Sequence, residues 1–295
     1  MSSFASVYRS DLFQDQVIFV TGGGSGIGRC TAHELASLGA TVVIGGRRRE
    51  ALEQTAAEIT ESGGRVDTLQ IDIRDEAMVE AAFSHIQKSH GRLDGLFNNA
   101  GGTTFAAQAE EIRPKGFRAV IELNLTSTFS MCRAAYHFFM RENGGAIVNM
   151  MSDNMLGYPL ISHVGAAHAG VENLTRSLAL EWCTAGVRVN NVAPAIILTS
   201  GLGVQSRDHQ ERVIEESRGY PLGRMGTESE ISASVVFLLS PAAAYITGDT
   251  LAIAGGGQLH KPVSTPIGGA PRTKSFNGFH LRPDLSGSVF ADLMD

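Results

Sequence analysis

The chain has 295 residues, is 43% hydrophobic and carries a formal net charge of −6. That length accommodates one large α/β domain, and the acidic balance gives no basis for binding nucleic acid or an anionic membrane surface. Three widely spaced cysteines, Cys30, Cys132 and Cys183, match no metal or redox spacing, so no metal is expected and a reducing cytoplasm is the expected location.

Residues 1–16 read as an arm before the first strand. They lack the basic region and apolar run of a secretory leader, the C-terminal ADLMD carries no targeting signal, and no stretch is long enough for a membrane span. Val17 to Val20 is a continuous apolar run that predicts a buried parallel strand. Thr21 opens a turn with glycines at 22, 23, 24, 26 and 28. Arg29 to Leu38 then has helical spacing, with Cys30, Ala32, Leu35 and Leu38 inward. A strand, a Gly-rich turn and a helix N-terminus make an anion site. The missing Cβ atoms let the backbone approach a pyrophosphate, and the first-turn N–H groups point at it. Gly39 ends the helix.

Thr41 to Ile44 is the second strand and runs into Gly45-Gly46-Arg47-Arg48-Arg49. An acid after this strand would bind the adenosine ribose 2′-hydroxyl, whereas arginine accommodates a 2′-phosphate. Gly46 stands in the acid's place and Arg47 follows, so charge favours NADP(H), with Arg47 as the main contact and Arg48 as the second. The plainer reading is a solvated basic turn opening a helix at 50–61.

Val66 to Ile71 is the third strand, followed by Asp72 and Ile73. Residues 76–89 predict an amphipathic helix with Met78, Ala81, Ala82, Phe83 and Ile86 inward, and Asp72 is a candidate cap for it. Leu93 to Phe97 is the fourth strand. It ends in Asn98-Asn99-Ala100-Gly101, at the carboxyl ends of the strands where open α/β sheets bind ligands. Residues 115–141 carry a long helical pattern with the polar Asn124 on an apolar face, a placement that is costly unless the amide is satisfied. Ala146 to Met150 is the fifth strand and leads to Ser152, whose hydroxyl can donate to a developing oxyanion. Met150, Met151, Met155 and Leu156 suggest an apolar pocket. Val187 to Asn191 is the sixth strand, residues 200–220 contain a short helical pattern (His209 to Glu216), a helix follows at 228–239, and Thr250 to Ile253 is the last strand. Residues 257–295 are rich in proline and glycine.

The Thr-Gly-x-x-x-Gly-x-Gly spacing at 21–28, NNAG at 98–101 and IVNMMS at 147–152 resemble the short-chain dehydrogenase/reductase family over about residues 14–258. The resemblance implies a single doubly wound Rossmann-type α/β domain with a mostly parallel sheet, spanning residues 1–258, with a substrate lid at about 200–220 and a C-terminal extension at 259–295. It implies a cofactor site made of Gly22, Ser25, Gly26, Ile27, Gly28, Arg47, Arg48, Asp72, Ile73, Asn99, Ala100, Gly101, His168, Pro194, Ile197 and Thr199. It also implies a homo-oligomer, tetramer or dimer, with the last strand at its centre.

The family's Tyr-x-x-x-Lys motif is replaced. The segment SHVGAAHAGVENLTRSLALEW puts Val164 at the tyrosine position and His168 at the lysine position, and Ala195 replaces a glycine after Pro194. Valine cannot donate the proton that an alkoxide product needs. An enolate product needs oxyanion stabilisation and can take its proton from water. The pattern is similar to the peroxisomal trans-2-enoyl-CoA and dienoyl-CoA reductase branch, and to bacterial citronellol/citronellal dehydrogenases. The leading expectation is an NADPH-dependent reductase of an activated C=C bond on a small hydrophobic or acyl-thioester substrate. Its candidate catalytic residues are Ser152, Asn124, His168, His163 and Tyr158. The alternatives are a carbonyl or alcohol dehydrogenase with a relocated acid, and a non-redox role on the same fold.

Overall fold

The computed structural model describes residues 3–103, 105–153, 157, 159–259, 273–281 and 283–291. Seven strands form one sheet: β1 (Val17–Thr21), β2 (Thr41–Gly46), β3 (Arg65–Gln70), β4 (Gly95–Asn98), β5 (Gly145–Met150), β6 (Val187–Pro194) and β9 (Thr250–Ile253). Their order is β3-β2-β1-β4-β5-β6-β9 and every pairing is parallel. Parallel neighbours require crossovers, and helices supply them on both faces. Successive residues point to opposite faces of a strand, so the apolar runs feed two cores. Ile18, Val20, Val42, Ile44, Phe97 and Val148 face α1 (Gly26–Ser37), α2 (Arg49–Glu61) and α10 (Glu228–Leu239). Phe19, Val43, Leu96, Ile147 and Val189 face α3 (Glu76–His90), α5 (Ser127–Ala135) and α7 (Ser162–Trp182). Full burial of each such side chain stabilises the fold by about 1.5–3 kcal/mol.

Three local expectations change. On α3, Val79 is buried while Met78 and Ala81 are exposed, so the inward stripe is Val79, Ala82, Phe83 and Ile86. The cap of α3 is Asp75, whose carboxylate accepts from the Ala77 and Met78 N–H groups, leaving Asp72 for another partner. The single helix expected at 115–141 is α4 (Pro114–Ile121), a π turn (Glu122–Thr126), α5, a second π turn (Tyr136–Met140) and α6 (Arg141–Asn143). Two wide turns re-aim the backbone without a proline.

Residues 197–227 contain β7 (Ile197–Leu198), α8 (Ser200–Gly203) and α9 (Arg207–Arg218), with β7 paired to β8 (Gly226–Thr227). The described parts of the C-terminal stretch pack on the chain's own core. Phe279 stacks on Phe4 at 5.6 Å, and its N–H donates to Ser229 Oγ. Leu285 and Phe290 bury against Val213 of α9. Among the described residues no helix is long and apolar enough to cross a membrane.

Candidate active site

Thr21, the last residue of β1, ties the Gly-rich turn to β4. Its hydroxyl accepts from the N–H groups of Asn99 (2.9 Å) and Ala100 (3.0 Å), and Asn99 Nδ2 donates to its carbonyl (2.9 Å). Gly28 is obligatory here, because a Cβ would stand 2.4 Å from the Gly22 carbonyl oxygen and 2.5 Å from Asn99 Nδ2. Gly22 (φ 70°) and Gly26 (φ 56°) adopt left-handed backbone conformations that side chains disfavour. The Ser25 hydroxyl makes no capping bond to α1, so the first-turn N–H groups have no side-chain cap. A turn closed this tightly, opening onto first-turn N–H groups that no side chain caps, fits a dinucleotide diphosphate.

A cavity of about 250 Å³ opens beside this turn and gathers Gly22, Ser25, Arg47, Arg48, Asp72, Ile73, Ala100 and Gly101. Arg48 donates to Ser25 Oγ at 3.1 Å, and Gln70 Nε2 holds the Arg47 carbonyl at 3.1 Å. The partner of Asp72 is Arg74, which engages both carboxylate oxygens and holds the acid down at about 2. A second cavity of about 780 Å³ is lined by Ile27, Pro194, Ile197 and Thr199 together with Leu160, Ile161, Leu202 and Val213. Apolar side chains dominate its wall, with Asp153, His209, Arg212, Glu216 and Tyr220 as its charged and titratable lining.

The catalytic candidates fall into separate groups. Ser152 Oγ lies 2.5 Å from His168 Nδ1. His168 is 9% exposed, and burial pushes its imidazole down to about 4, so it is neutral at physiological pH. Val164 lies one turn earlier on α7 and is also buried. His163 belongs to a different cluster. Its Nε2 meets Thr103 Oγ1 at 3.2 Å, its ring stacks on Phe105 at 4.5 Å, and its Nδ1 is buried without a partner among the described residues. Burial lowers its pKa. Asn124 spends its amide on the loop after β4: Oδ1 accepts from Gly102 N–H (2.7 Å), and Nδ2 donates to the carbonyls of Gly102 (3.0 Å) and Val120 (2.9 Å). It sits in the π turn and positions Gly101 and Gly102. Tyr158, Met155 and Leu156 lie outside the described residues.

A buried polar chain sets the Ser152–His168 geometry. Asn98 Nδ2 donates to Asn149 Oδ1 (2.9 Å), Asn149 Nδ2 to Thr175 Oγ1 (2.9 Å), Thr175 Oγ1 to Asn191 Oδ1 (2.7 Å) and Asn191 Nδ2 to Thr250 Oγ1 (3.0 Å). It fixes the end of β5, which leads to Ser152, against α7, which carries His168 two turns before Thr175. Thr175→Val keeps the shape but strands Asn149 Nδ2 and Asn191 Oδ1. The expected cost is about 1–3 kcal/mol in urea unfolding.

His168 makes stability pH-dependent with a definite sign. Its folded pKa lies below that of the unfolded chain, so its contribution is intact above about 6.5 and is lost as pH falls toward 4. The difference in unfolding free energy between wild type and His168→Gln should shift against wild type between pH 6.5 and 4.5. A difference that is constant with pH contradicts this.

Sequence reasoning missed Asp153 and Arg212 as lining groups, and Glu228, a buried acid facing the Gly-rich turn. Each is an ordinary helix or loop residue in sequence.

Residues 22–258 match a protein family described as Enoyl-(Acyl carrier protein) reductase. The chain is 38% identical over 250 residues to a Bacillus subtilis (strain 168) protein named "Probable 2,4-dienoyl-CoA reductase", covering 84% of this chain and 98% of that protein. It is 37% identical over 264 residues to the peroxisomal 2,4-dienoyl-CoA reductase of Danio rerio, covering 88% and 87%. A solved structure titled as the citronellol catabolism dehydrogenase AtuB of Pseudomonas aeruginosa PAO1 superposes with a TM-score of 0.78 at 45% identity, covering 86% of this chain and 100% of that one.

Proposed function

Because the chain belongs to the short-chain dehydrogenase/reductase family, whose members are oxidoreductases that bind NAD(P)(H), we propose that it is an NADPH-dependent reductase of an activated C=C bond in an enoyl thioester or enone. The observation that carries this reading is Ser152 Oγ at 2.5 Å from a neutral His168, with the apolar Val164 where the family's proton donor stands. The names of the dienoyl-CoA reductase relatives support the acyl-thioester class, and Arg47 and Arg48 support NADPH.

A bound nicotinamide would supply the hydride to the β-carbon. The chain's own residues have a lighter task than in ketone reduction. With the Nδ1–H tautomer of His168 donating to Ser152 Oγ, the serine proton is left to point at the substrate carbonyl oxygen. It stabilises the enolate as charge develops there. The α-carbon takes its proton from water. The apolar wall of the larger cavity holds the chain of the substrate and keeps the reacting carbons close to the cofactor face. A homo-oligomer in the cytoplasm is the assembly and location that go with this reading.

The experiment is NADPH oxidation with paired substrates: a crotonyl-type enoyl-CoA, a free enone, and their saturated ketone counterparts, with products identified by mass and NMR. Reduction of only the unsaturated members, with the carbonyl retained, is expected. Turnover of the saturated ketones would instead favour a carbonyl or alcohol dehydrogenase, the reading that the 45% identical citronellol catabolism dehydrogenase supports. NADPH binding without any turnover would point to a non-redox role.

A further inference from the structure

Glu228 is the first residue of α10 and only 6% exposed. Its carboxyl carries no hydrogen bond and no ion pair among the described residues. It faces the phosphate-binding turn: Oε1 lies 3.9 Å from the point where a Gly26 Cβ would stand, and Thr199 Cβ and Cγ2 lie 4.0 Å from the same point. Gly26, Thr199 and Glu228 therefore converge from three elements that are far apart in sequence.

The surroundings do not neutralise this acid. From α1, Arg29 faces it, but the Nε and Nη2 of that guanidinium are held by Glu58, at 2.8 and 2.6 Å. Cys30 and, beyond it, Glu34 add no positive charge. On α10 itself, Glu230 is committed to Arg224 (2.7 and 2.9 Å) and to the Thr227 N–H. From the β7–α8 connection comes the uncharged Thr199. The C-terminal stretch brings Phe279 over Arg29 and the half-buried His280 beside His33. An ionised carboxylate here would repel a diphosphate, whereas a neutral acid would offer it a hydrogen bond. Burial pushes the Glu228 carboxyl up to about 7, with Arg29 pulling partly against it.

We propose that Glu228 binds the dinucleotide diphosphate as a neutral carboxylic acid, donating its proton to a phosphate oxygen, so that cofactor affinity is coupled to the uptake of one proton. Where the carboxyl is ionised in the free protein, the proton comes from solvent, and it stays on the carboxyl while hydrogen-bonding the phosphate oxygen. The proposal rests on the reading of this turn as a dinucleotide site.

The test is NADPH affinity by nicotinamide fluorescence from pH 6.5 to 9.0, for wild type, Glu228→Gln and Glu228→Ala, each checked for folding by circular dichroism. With Kd scaling as 1 + 10^(pH − pKa), a carboxyl titrating near 7 makes the wild-type Kd rise about eightfold between pH 7.5 and 8.5. The ribose 2′-phosphate titrates near 6 and is already ionised in that range. Glu228→Gln keeps a donor and should bind with a flat profile. Glu228→Ala should also be flat, but severalfold weaker than wild type at pH 6.5. Calorimetry at pH 8.5 in two buffers of different ionisation enthalpy should show proton uptake by wild type and almost none by Glu228→Gln. A flat wild-type profile, or a slope kept in Glu228→Gln, overturns the role of Glu228 while leaving the dinucleotide site standing. Failure of wild type to bind NADPH at any pH overturns the site reading and this proposal with it.

Discussion

Ser152→Ala should lower kcat for the unsaturated substrate by about 10²–10³, the usual cost of removing one oxyanion donor, with little change in substrate KM. The reason lies in when the bond counts. A carbonyl accepts a modest hydrogen bond in the ground state and a far stronger one as it becomes an enolate, so the loss falls on the transition state. On the proposed reading His168 acts through the serine, whose Oγ lies 2.5 Å from its Nδ1. His168→Ala alone should cost less, because the serine hydroxyl can still rotate toward the substrate. The double variant should be no slower than Ser152→Ala, since two residues that act as one unit are not additive. Single-turnover rates with a saturating enoyl substrate are the measurement. Additive losses would give His168 an independent role, for instance on the cofactor ribose.

Replacing both Arg47 and Arg48 by alanine should raise the NADPH Kd by about 10²-fold and leave the NADH Kd nearly unchanged. Charge-assisted contacts from arginine to phosphate contribute about 1.5–3 kcal/mol each. Both side chains are exposed, so the pair should deliver the lower part of that sum. The structure gives each a support: Ser25 Oγ receives Arg48, and Gln70 holds the Arg47 backbone. The NADPH affinity of wild type should also fall with added salt, and that dependence should flatten in the double variant. Equal losses for NADPH and NADH would mean that the arginines do not read the 2′-phosphate.

The sequence by itself determined what depends on neighbours along the chain. Apolar runs of strand length and the 3.6-residue period located every strand of the main sheet and most helices. The glycines at 22, 26 and 28 marked the tight turn after β1, because a left-handed backbone and a missing Cβ are requirements of the local chain. Arg47 and Arg48 were legible for the same reason, standing immediately after β2. The errors were also local: Asp75 was a nearer cap than Asp72, and the α3 stripe was rotated to Val79 by packing that periodicity alone does not weigh.

Only the tertiary structure decided which polar side chains act together. In a parallel sheet every neighbouring strand is reached through a crossover, so side-chain partners lie tens to hundreds of residues apart, and spacing in sequence carries no information about them. Thus Asn124 was visible as a polar residue on an apolar face, but its use on Gly102 was not. His163 and His168 are five residues apart on one helix, yet one is tied to Thr103 and the other to Ser152. Glu228 reads as an ordinary first-turn acid until the α1–α10 packing turns it toward Gly26, where desolvation and the absence of a partner among the described residues change its chemistry.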